Sequence, residues 1–178
     1  MTASDLTVCV PRLTLSAARR LSAAAEAKAT ELGAPENIAV VDESGHLILL
    51  ARMDGAKFIA VDIAINKAVT AAGSRKPTHE LGRVTLPGEP AFGIQAQNGG
   101  RFTTIPGGLP LVVDGHVVGA VGVSSASAAQ DLEVAEAAAA EFGRMIQQGG
   151  VTPETASGDL GSGEATPSLA PPCSDTHA

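Results

Sequence analysis

The sequence predicts an α+β fold in which helices pack on the faces of a five-stranded antiparallel sheet. Two observations carry this prediction. Three long stretches place apolar residues every three or four positions, which is the spacing of an amphipathic helix. Shorter apolar runs are joined in pairs by tight turns, which favours hairpins and therefore antiparallel strands. We therefore expect a single α+β sandwich.

The helical stretches cover residues 14–32, residues 57–74, and a last segment that starts at Ser127 and ends at Gly149-Gly150. Each carries its apolar residues along one face and most of its charged residues between them. Ser127 and Gln130 have the spacing of a capping box, which predicts the start of the last helix.

Five apolar runs are predicted as strands: 37–41, 46–51, 101–105, 111–113 and 117–123. The last two flank Asp114-Gly115, a dipeptide that adopts positive φ easily and is typical of two-residue hairpin turns. The first two are separated by Asp42-Glu43-Ser44-Gly45, which predicts a second hairpin.

Between residues 78 and 100 the pattern breaks into turn signals and pieces no longer than one helical turn. A connection of this length without regular structure is uncommon unless it does something, such as covering a site. The sequence therefore predicts that this connection covers a functional site.

The globular domain is predicted to span residues 1–148, followed by a disordered, acidic tail over residues 149–178. The tail is rich in Gly, Ser, Pro and Thr and poor in apolar residues. Such a segment cannot bury enough apolar surface to offset the entropy lost on ordering.

Composition excludes some classes of function. Trp and Tyr are absent and the net charge is -7, which argues against nucleic-acid binding. No apolar stretch approaches the length of a membrane span, and the first residues lack a signal-peptide pattern, so we expect a cytoplasmic protein that does not bind membranes. Cys9 and Cys173 lie near opposite ends without metal or redox spacing; we expect free thiols, with a disulfide as the less favoured alternative.

Arg52-Met53-Asp54 lies between the second strand and the second helix. Arg52 can bind an anion through two parallel hydrogen bonds, and Asp54 can cap the helix or attract a basic group. The alternative is that Arg52 and Asp54 pair with each other and only stabilise this connection.

Lys67 interrupts an otherwise apolar helix between Ile65 and Ala68. Its side chain either reaches solvent or, on the side that faces the sheet, places a charge at the floor of a pocket. A desolvated lysine has a lowered pKa and can act as a base near neutral pH.

His79 is the best candidate among the four histidines, because Pro77-Thr78-His79-Glu80 opens the irregular connection. His46 and His116 follow turns, and His177 lies in the predicted tail, where imidazoles are ordinarily solvated. The spacings typical of structural zinc and of covalently attached haem are absent from the sequence.

Gly107-Gly108 allows the backbone to pass close to a group that a Cβ would obstruct, and Pro106 and Pro110 stiffen both ends of this segment. It is either the rim of a ligand site or a tight turn that enters a strand.

Three motifs, in this order, resemble the GlcG/HbpS family over roughly residues 12–147: VVDESGHLILLARMDGA, INKAVTAA and PGGLPLVVDGHVVGAVGVSSASAAQDLEVAEAA. These small domains are also found at the C-terminus of PduO-type corrinoid adenosyltransferases. The resemblance implies a profilin-like α-β-α sandwich that forms dimers or larger oligomers, and some members bind haem or sense redox state. It also implies shared pocket residues: Arg52, Asp54, Lys67, Gly107, Gly108 and Asp131.

The chain departs from the family pattern at two places. Ser125 stands where many relatives have glycine. Haem-binding relatives tend to place an axial histidine near the first helix, and this chain has no histidine there.

The first functional hypothesis is a homo-oligomeric small-molecule-binding protein whose leading ligand is haem or a related tetrapyrrole. The ligand would lie between Arg52 and Gly107-Gly108, with Arg52 or Lys67 pairing with its carboxylates and His79 as the candidate iron ligand. The full set of predicted ligand-binding residues is Arg52, Met53, His79, Gly107, Gly108, Pro110 and Asp131. Without haem, no other cofactor is expected.

The alternative is a cofactor-free isomerase, lyase or cyclase that acts on a small carboxylate-bearing or polyketide-like metabolite of a catabolic or biosynthetic pathway. Arg52 would anchor the anion, and Lys67 or Asp54 would move the proton. Backbone amides at Gly107-Gly108 would stabilise developing negative charge.

Overall fold

Four antiparallel strands form the sheet at the centre of the fold. The structure is a computed structural model that describes residue 6 and residues 8–149. Its strands are β1 (Asn37–Asp42), β2 (Leu47–Arg52), β3 (Gly108–Val113) and β4 (His116–Ser124). They lie in the order β2-β1-β4-β3, so β2 and β3 are the edges. All neighbouring strands are antiparallel, which confirms the predicted α+β class.

The helices are α1 (Leu15–Glu31), α2 (Ala60–Ser74), α3 (Thr78–Leu81) and α4 (Ala128–Gln148). The three long ones confirm the predicted helices, although α2 begins three residues later than expected. The side chain of Thr14 caps α1, and Ser127 and Gln130 form the predicted capping box at α4. None of the described helices is long and apolar enough to cross a bilayer.

Both predicted hairpins are present. At the β3–β4 turn, Asp114 and Gly115 have φ of 48° and 75°, the positive values that a two-residue turn of this type requires. At the β1–β2 turn, the Asp42 carboxylate accepts hydrogen bonds from the backbone N–H groups of Ser44 and His46, at 2.9 and 2.8 Å.

The prediction of a strand at residues 101–105 is wrong, so the sheet in the described part of the chain has four strands and not five. Residues 101–105 do not form a strand, and their backbone bonds to side chains of the neighbouring helices instead. Thr103 N donates to Thr70 Oγ1 of α2 at 3.0 Å, and Ile105 O accepts from Thr78 Oγ1 of α3 at 2.6 Å. Because its hydrogen bonds go to α2 and α3, this segment does not extend the sheet beyond β3.

The connection before it contains three short 3₁₀ turns: Arg83–Thr85, Ile94–Ala96 and Asn98–Gly100.

Helices cover both faces of the sheet. α1 and α4 pack on each other and on one face, where Leu21, Ile38 and Val121 belong to the larger apolar core. α2 packs on the other face through a cluster made almost entirely of alanine. A Cβ at Gly122 would overlap the backbone of Ala64 and Ala68, so α2 lies directly against β4. This close approach brings the middle of α2 down to the sheet.

Cys9 takes part in a disulfide bond, so the expectation of a free thiol is wrong for this residue. Cys9 and Cys173 are far apart along the chain, but separation in sequence does not determine separation in the fold. Cys173 lies outside the described residues, as does the predicted tail beyond Gly149.

Candidate functional site

The ends of all four strands meet at one end of the sheet, and most of the predicted site residues lie there. Arg52 ends β2 opposite Asn37, which begins β1. Asn37 is also opposite Ser124, which ends β4, and Gly108 begins β3. The antiparallel topology therefore gathers residues that are distant in sequence.

Lys67 is fully buried on the side of α2 that faces the sheet. Of the two alternatives predicted for this side chain, it therefore takes the sheet-facing one and does not reach solvent. Its Nζ donates to Val123 O at 2.7 Å and forms an ion pair with Asp131 Oδ2 at 2.5 Å. Burial lowers the pKa of Lys67, although the carboxylate of Asp131 opposes that shift. The ammonium is thus enclosed by groups of the protein itself.

Asp131 lies in the first turn of α4 and is buried. Its second oxygen, Oδ1, accepts from the backbone N–H groups of Ser125 and Ala126 at 3.3 and 3.2 Å. A negative charge is also favoured near a helix N-terminus. The Asp131 carboxylate therefore accepts from the Lys67 ammonium and from two backbone N–H groups.

Glu36 is a buried carboxyl group near Asp131 that was not predicted from the sequence. It is fully buried just before β1, and its Oε2 accepts from Ala126 N at 3.3 Å. Its Oε1 receives no hydrogen bond from any residue in the described part of the chain. Burial, and then the nearby carboxylate of Asp131, raise the pKa of Glu36 to about 8. We call Glu36, Lys67 and Asp131 the charged cluster.

Asn37 and Ser125 fasten the start of α2 to this end of the sheet. Asn37 Nδ2 donates to Lys57 O at 3.0 Å and to Ser124 O at 2.9 Å. Ser125 Oγ accepts from Lys57 N at 2.9 Å. The Ser125 side chain therefore has a structural partner here. Asn37 was not singled out from the sequence, and Ser125 was noted only as a departure from the family pattern.

Gly107 and Gly108 allow the close backbone approach that the sequence predicted. Gly107 has φ of +113°, and a Cβ there would lie 2.8 Å from Val123 O and 3.1 Å from Lys67 Nζ. A Cβ at Gly108 would lie 2.5 Å from Lys67 O. The groups that approach these glycines are the charged cluster and its surroundings.

The loop Arg52-Met53-Asp54 lies at the β2 edge, away from the two glycines. The side chains of Arg52 and Asp54 are exposed, and Arg52 forms no ion pair with any described residue, so the Arg52–Asp54 pair is absent. Met53 is half-buried, and its backbone N–H donates to Glu36 O at 3.0 Å. Three strand spacings separate β2 from β3, which places this loop about 14 Å from Gly108.

His79 lies on the other side of Gly107-Gly108, at the start of the irregular connection. Its neighbour Thr78 is buried, donates to Ile105 O at 2.6 Å and accepts from Gly108 N at 3.1 Å. His79 itself is exposed. Pro110, the remaining predicted residue, is half-buried on β3 opposite Ala120.

An open cleft of about 320 Å³ lies between α2 and the end of the long connection. Its lining mixes apolar and amide or hydroxyl side chains: Ile63, Asn66, Gln95, Gly100, Phe102, Thr103, Thr104 and Ile105. None of these residues was singled out from the sequence. Thr78, the residue before His79, donates to Ile105 O at the rim of the cleft, and His79 itself is not among the lining residues.

Across the described ranges, no three side chains of His, Cys, Asp and Glu are grouped so that they could hold a metal ion.

Comparisons with known proteins identify the family of this chain. The family model described as haem degrading protein HbpS-like matches residues 13–140. A 15.0 kDa protein encoded between dhaT and dhaS in Citrobacter freundii is 42% identical over 129 residues, which are 72% of this chain and 91% of that protein.

Two solved structures are similar. Klebsiella pneumoniae protein ORFY has a TM-score of 0.75 and 38% identity, over 76% of this chain and 94% of its own. The PduOC–haem complex has a TM-score of 0.71 and 32% identity, over 73% of this chain and 94% of its own.

Proposed function

The chain belongs to the HbpS-like family, and from this premise we propose that it binds haem or a related tetrapyrrole. The solved complex of PduOC with haem supports this ligand class, because that domain is 32% identical to this chain. The finer questions are where the ligand lies and which residues hold it.

The open cleft, with an exposed histidine one residue beyond Thr78, is the observation that carries the proposal. A tetrapyrrole needs an apolar surface for its ring, a donor for its iron and cations for its carboxylates. Ile63, Phe102 and Ile105 supply apolar surface, and 320 Å³ lies within the range of small-molecule sites. His79 is next to the residue that holds the rim, and Arg101 is exposed immediately before Phe102. The residues present therefore fit the group.

In this proposal the chain's own residues bind and orient the ligand. His79 supplies the imidazole to the iron, and Arg101 pairs with a carboxylate of the ligand. The bound group would supply redox or gas-binding chemistry. Gly107-Gly108 and Lys67 hold the neighbouring backbone in position, because they are packed against each other beneath the rim.

Arg52 remains a second candidate for the carboxylate partner, because its guanidinium is exposed and unpaired among the described residues. Arg52→Lys and Arg101→Lys keep the charge and remove the planar two-donor geometry. The substitution that weakens haemin binding, by roughly 1–3 kcal/mol, identifies the partner.

Haemin titration tests the proposal. We expect saturation at one haem per chain with a shift of the Soret band. His79→Ala should change the band and weaken binding by about tenfold or more. His116→Ala is the matched control, because His116 is equally exposed but lies at the β3–β4 turn. The proposal fails if no Soret shift occurs, and the role of His79 fails if both variants behave alike.

A cofactor-free isomerase, lyase or cyclase is the second candidate. One observation favours it: burial lowers the pKa of Lys67, as a proton-transferring lysine requires. Asp54 would then be the exposed partner in proton transfer. We rank this function second because the Lys67 ammonium is enclosed. A preparation that binds neither haemin nor iron-free protoporphyrin would reverse the ranking. The homo-oligomeric state and the cytoplasmic location also remain predictions.

A further inference from the structure

The charged cluster contains two carboxyl groups and one ammonium, all buried. Glu36 and Asp131 are close together, because both accept a hydrogen bond from the same N–H group of Ala126. If Glu36, Lys67 and Asp131 were all ionised, the cluster would keep one uncompensated negative charge inside the protein. A buried, unpaired charge is strongly unfavourable, so a proton is expected on one carboxyl group.

The hydrogen bonds identify which carboxyl group holds it. Asp131 faces an ammonium and two backbone N–H groups, which stabilise its ionised form. Glu36 has one backbone donor at Oε2 and none at Oε1. The side chains of Glu36 and Asp131 lie within hydrogen-bonding range, yet two carboxylates are both acceptors. That contact becomes a hydrogen bond only when one group carries a proton.

We propose that Glu36 is a proton-binding site: a neutral carboxylic acid at neutral pH whose proton is donated to Asp131. This hydrogen bond joins the residue before β1 to the first turn of α4. Both backbone groups of Glu36 also bond to Met53. The Glu36 N–H donates to Met53 Sδ at 3.5 Å, and the Glu36 carbonyl oxygen accepts from Met53 N at 3.0 Å. The residue that carries the proton is therefore also bonded, through its backbone, to the loop that contains Met53. The proposal does not depend on which ligand the protein binds.

The electrostatics agree with this assignment. Burial and Asp131 raise the pKa of Glu36 to about 8, from 4.5 for an ordinary glutamate, and the ammonium of Lys67 only partly opposes the shift. Within the described part of the chain, Asp131 and Lys67 are the charged groups that act on Glu36. The side chains of Arg52 and Lys57, on the adjacent segments, are exposed. The folded state thus binds this proton more tightly than the unfolded state does. Stability from Glu36 is present below about pH 4.5 and is lost as the pH rises towards 8.

The pH dependence of unfolding tests the proposal. Glu36→Gln keeps a neutral side chain that can donate to Asp131. Measured by urea denaturation from pH 5 to pH 8, the unfolding equilibrium constant of the wild type should rise relative to the variant by about tenfold per pH unit. Glu136→Gln, which changes an exposed carboxylate on α4, should follow the wild type. Parallel profiles for wild type and Glu36→Gln would overturn the proposal.

A second measurement needs no variant. In ¹³C-labelled wild-type protein, the side-chain carboxyl signal of Glu36 should change near pH 8, far above the pH at which an ordinary glutamate side chain titrates. A Glu36 signal that changes near pH 4.5 would show an ionised group at neutral pH, and the proposed proton would not exist.

Discussion

The charged cluster and the cleft lie on two sides of the segment that leads into β3, and they differ in what occupies the space beside it. Next to Gly107 and Gly108 that space is filled by Lys67, Thr78 and Asp131. Next to Phe102 and Ile105 it is open. Lys67 and Asp131 in the first region are bonded to each other and to the backbone, whereas the second region is an open cleft. A buried charge is therefore weaker evidence for a ligand site than an exposed side chain that lines a cleft.

The largest effect should come from breaking the charged cluster. Lys67→Met removes the ammonium and leaves the Asp131 carboxylate buried without its ion-pair partner. We expect the free energy of unfolding to fall by about 3–5 kcal/mol in urea denaturation at neutral pH. Adding Asp131→Asn to Lys67→Met should restore part of this loss, because the uncompensated charge is gone. If the free energy of unfolding of Lys67→Met lay within about 1 kcal/mol of the wild-type value, the ion pair would not be important for stability.

A smaller loss should follow from adding one methyl group where α2 meets the sheet. In Gly122→Ala the new Cβ would overlap backbone atoms of Ala64 and Ala68, which cannot rotate away. We expect a loss of about 1–3 kcal/mol in thermal or urea unfolding. Gly143→Ala is the control: no atom lies within 4 Å of its new Cβ, and alanine in α4 should stabilise by roughly 0.5–1 kcal/mol. Equal effects of the two substitutions would mean that α2 does not lie so close to β4.

The smallest effect on stability should come from the cleft. Ile105 is 47% exposed, so Ile105→Asp should change the free energy of unfolding by no more than about 0.5 kcal/mol. It places a negative charge beside the proposed ring site and should weaken haemin binding by about tenfold, or 1.4 kcal/mol. Leu86→Asp, at a residue that is 56% exposed and does not line the cleft, should leave haemin binding unchanged. If both or neither weaken binding, the ligand lies elsewhere.

Local sequence predicted the regular elements well. The period of apolar residues located the three long helices, and Asp114-Gly115 located the β3–β4 hairpin, because both signals act over a few residues. Residues 101–105 have the composition of a strand, but a strand also needs a partner edge. Thr70 and Thr78 bind that backbone first, and no local pattern reveals this competition.

The candidate site divides in the same way. Lys67, Gly107 and Asp131 were selected from the sequence and from family resemblance, and they do meet. Arg52 was selected in the same way and His79 from the sequence alone, yet Arg52 ends the edge strand β2 and His79 lies in α3, which packs beside the other edge strand, β3.

The sequence by itself determined which residues are unusual for their positions: a lysine in an apolar helix, adjacent glycines before a strand, and a serine that caps the last helix. Only the tertiary structure decided what each of them contacts. Glu36 is ordinary in sequence, and it becomes a buried acid only because β1, α2 and α4 converge there. Protonation state and ligand access depend on burial and on neighbours across the fold, and these are properties of the assembled chain.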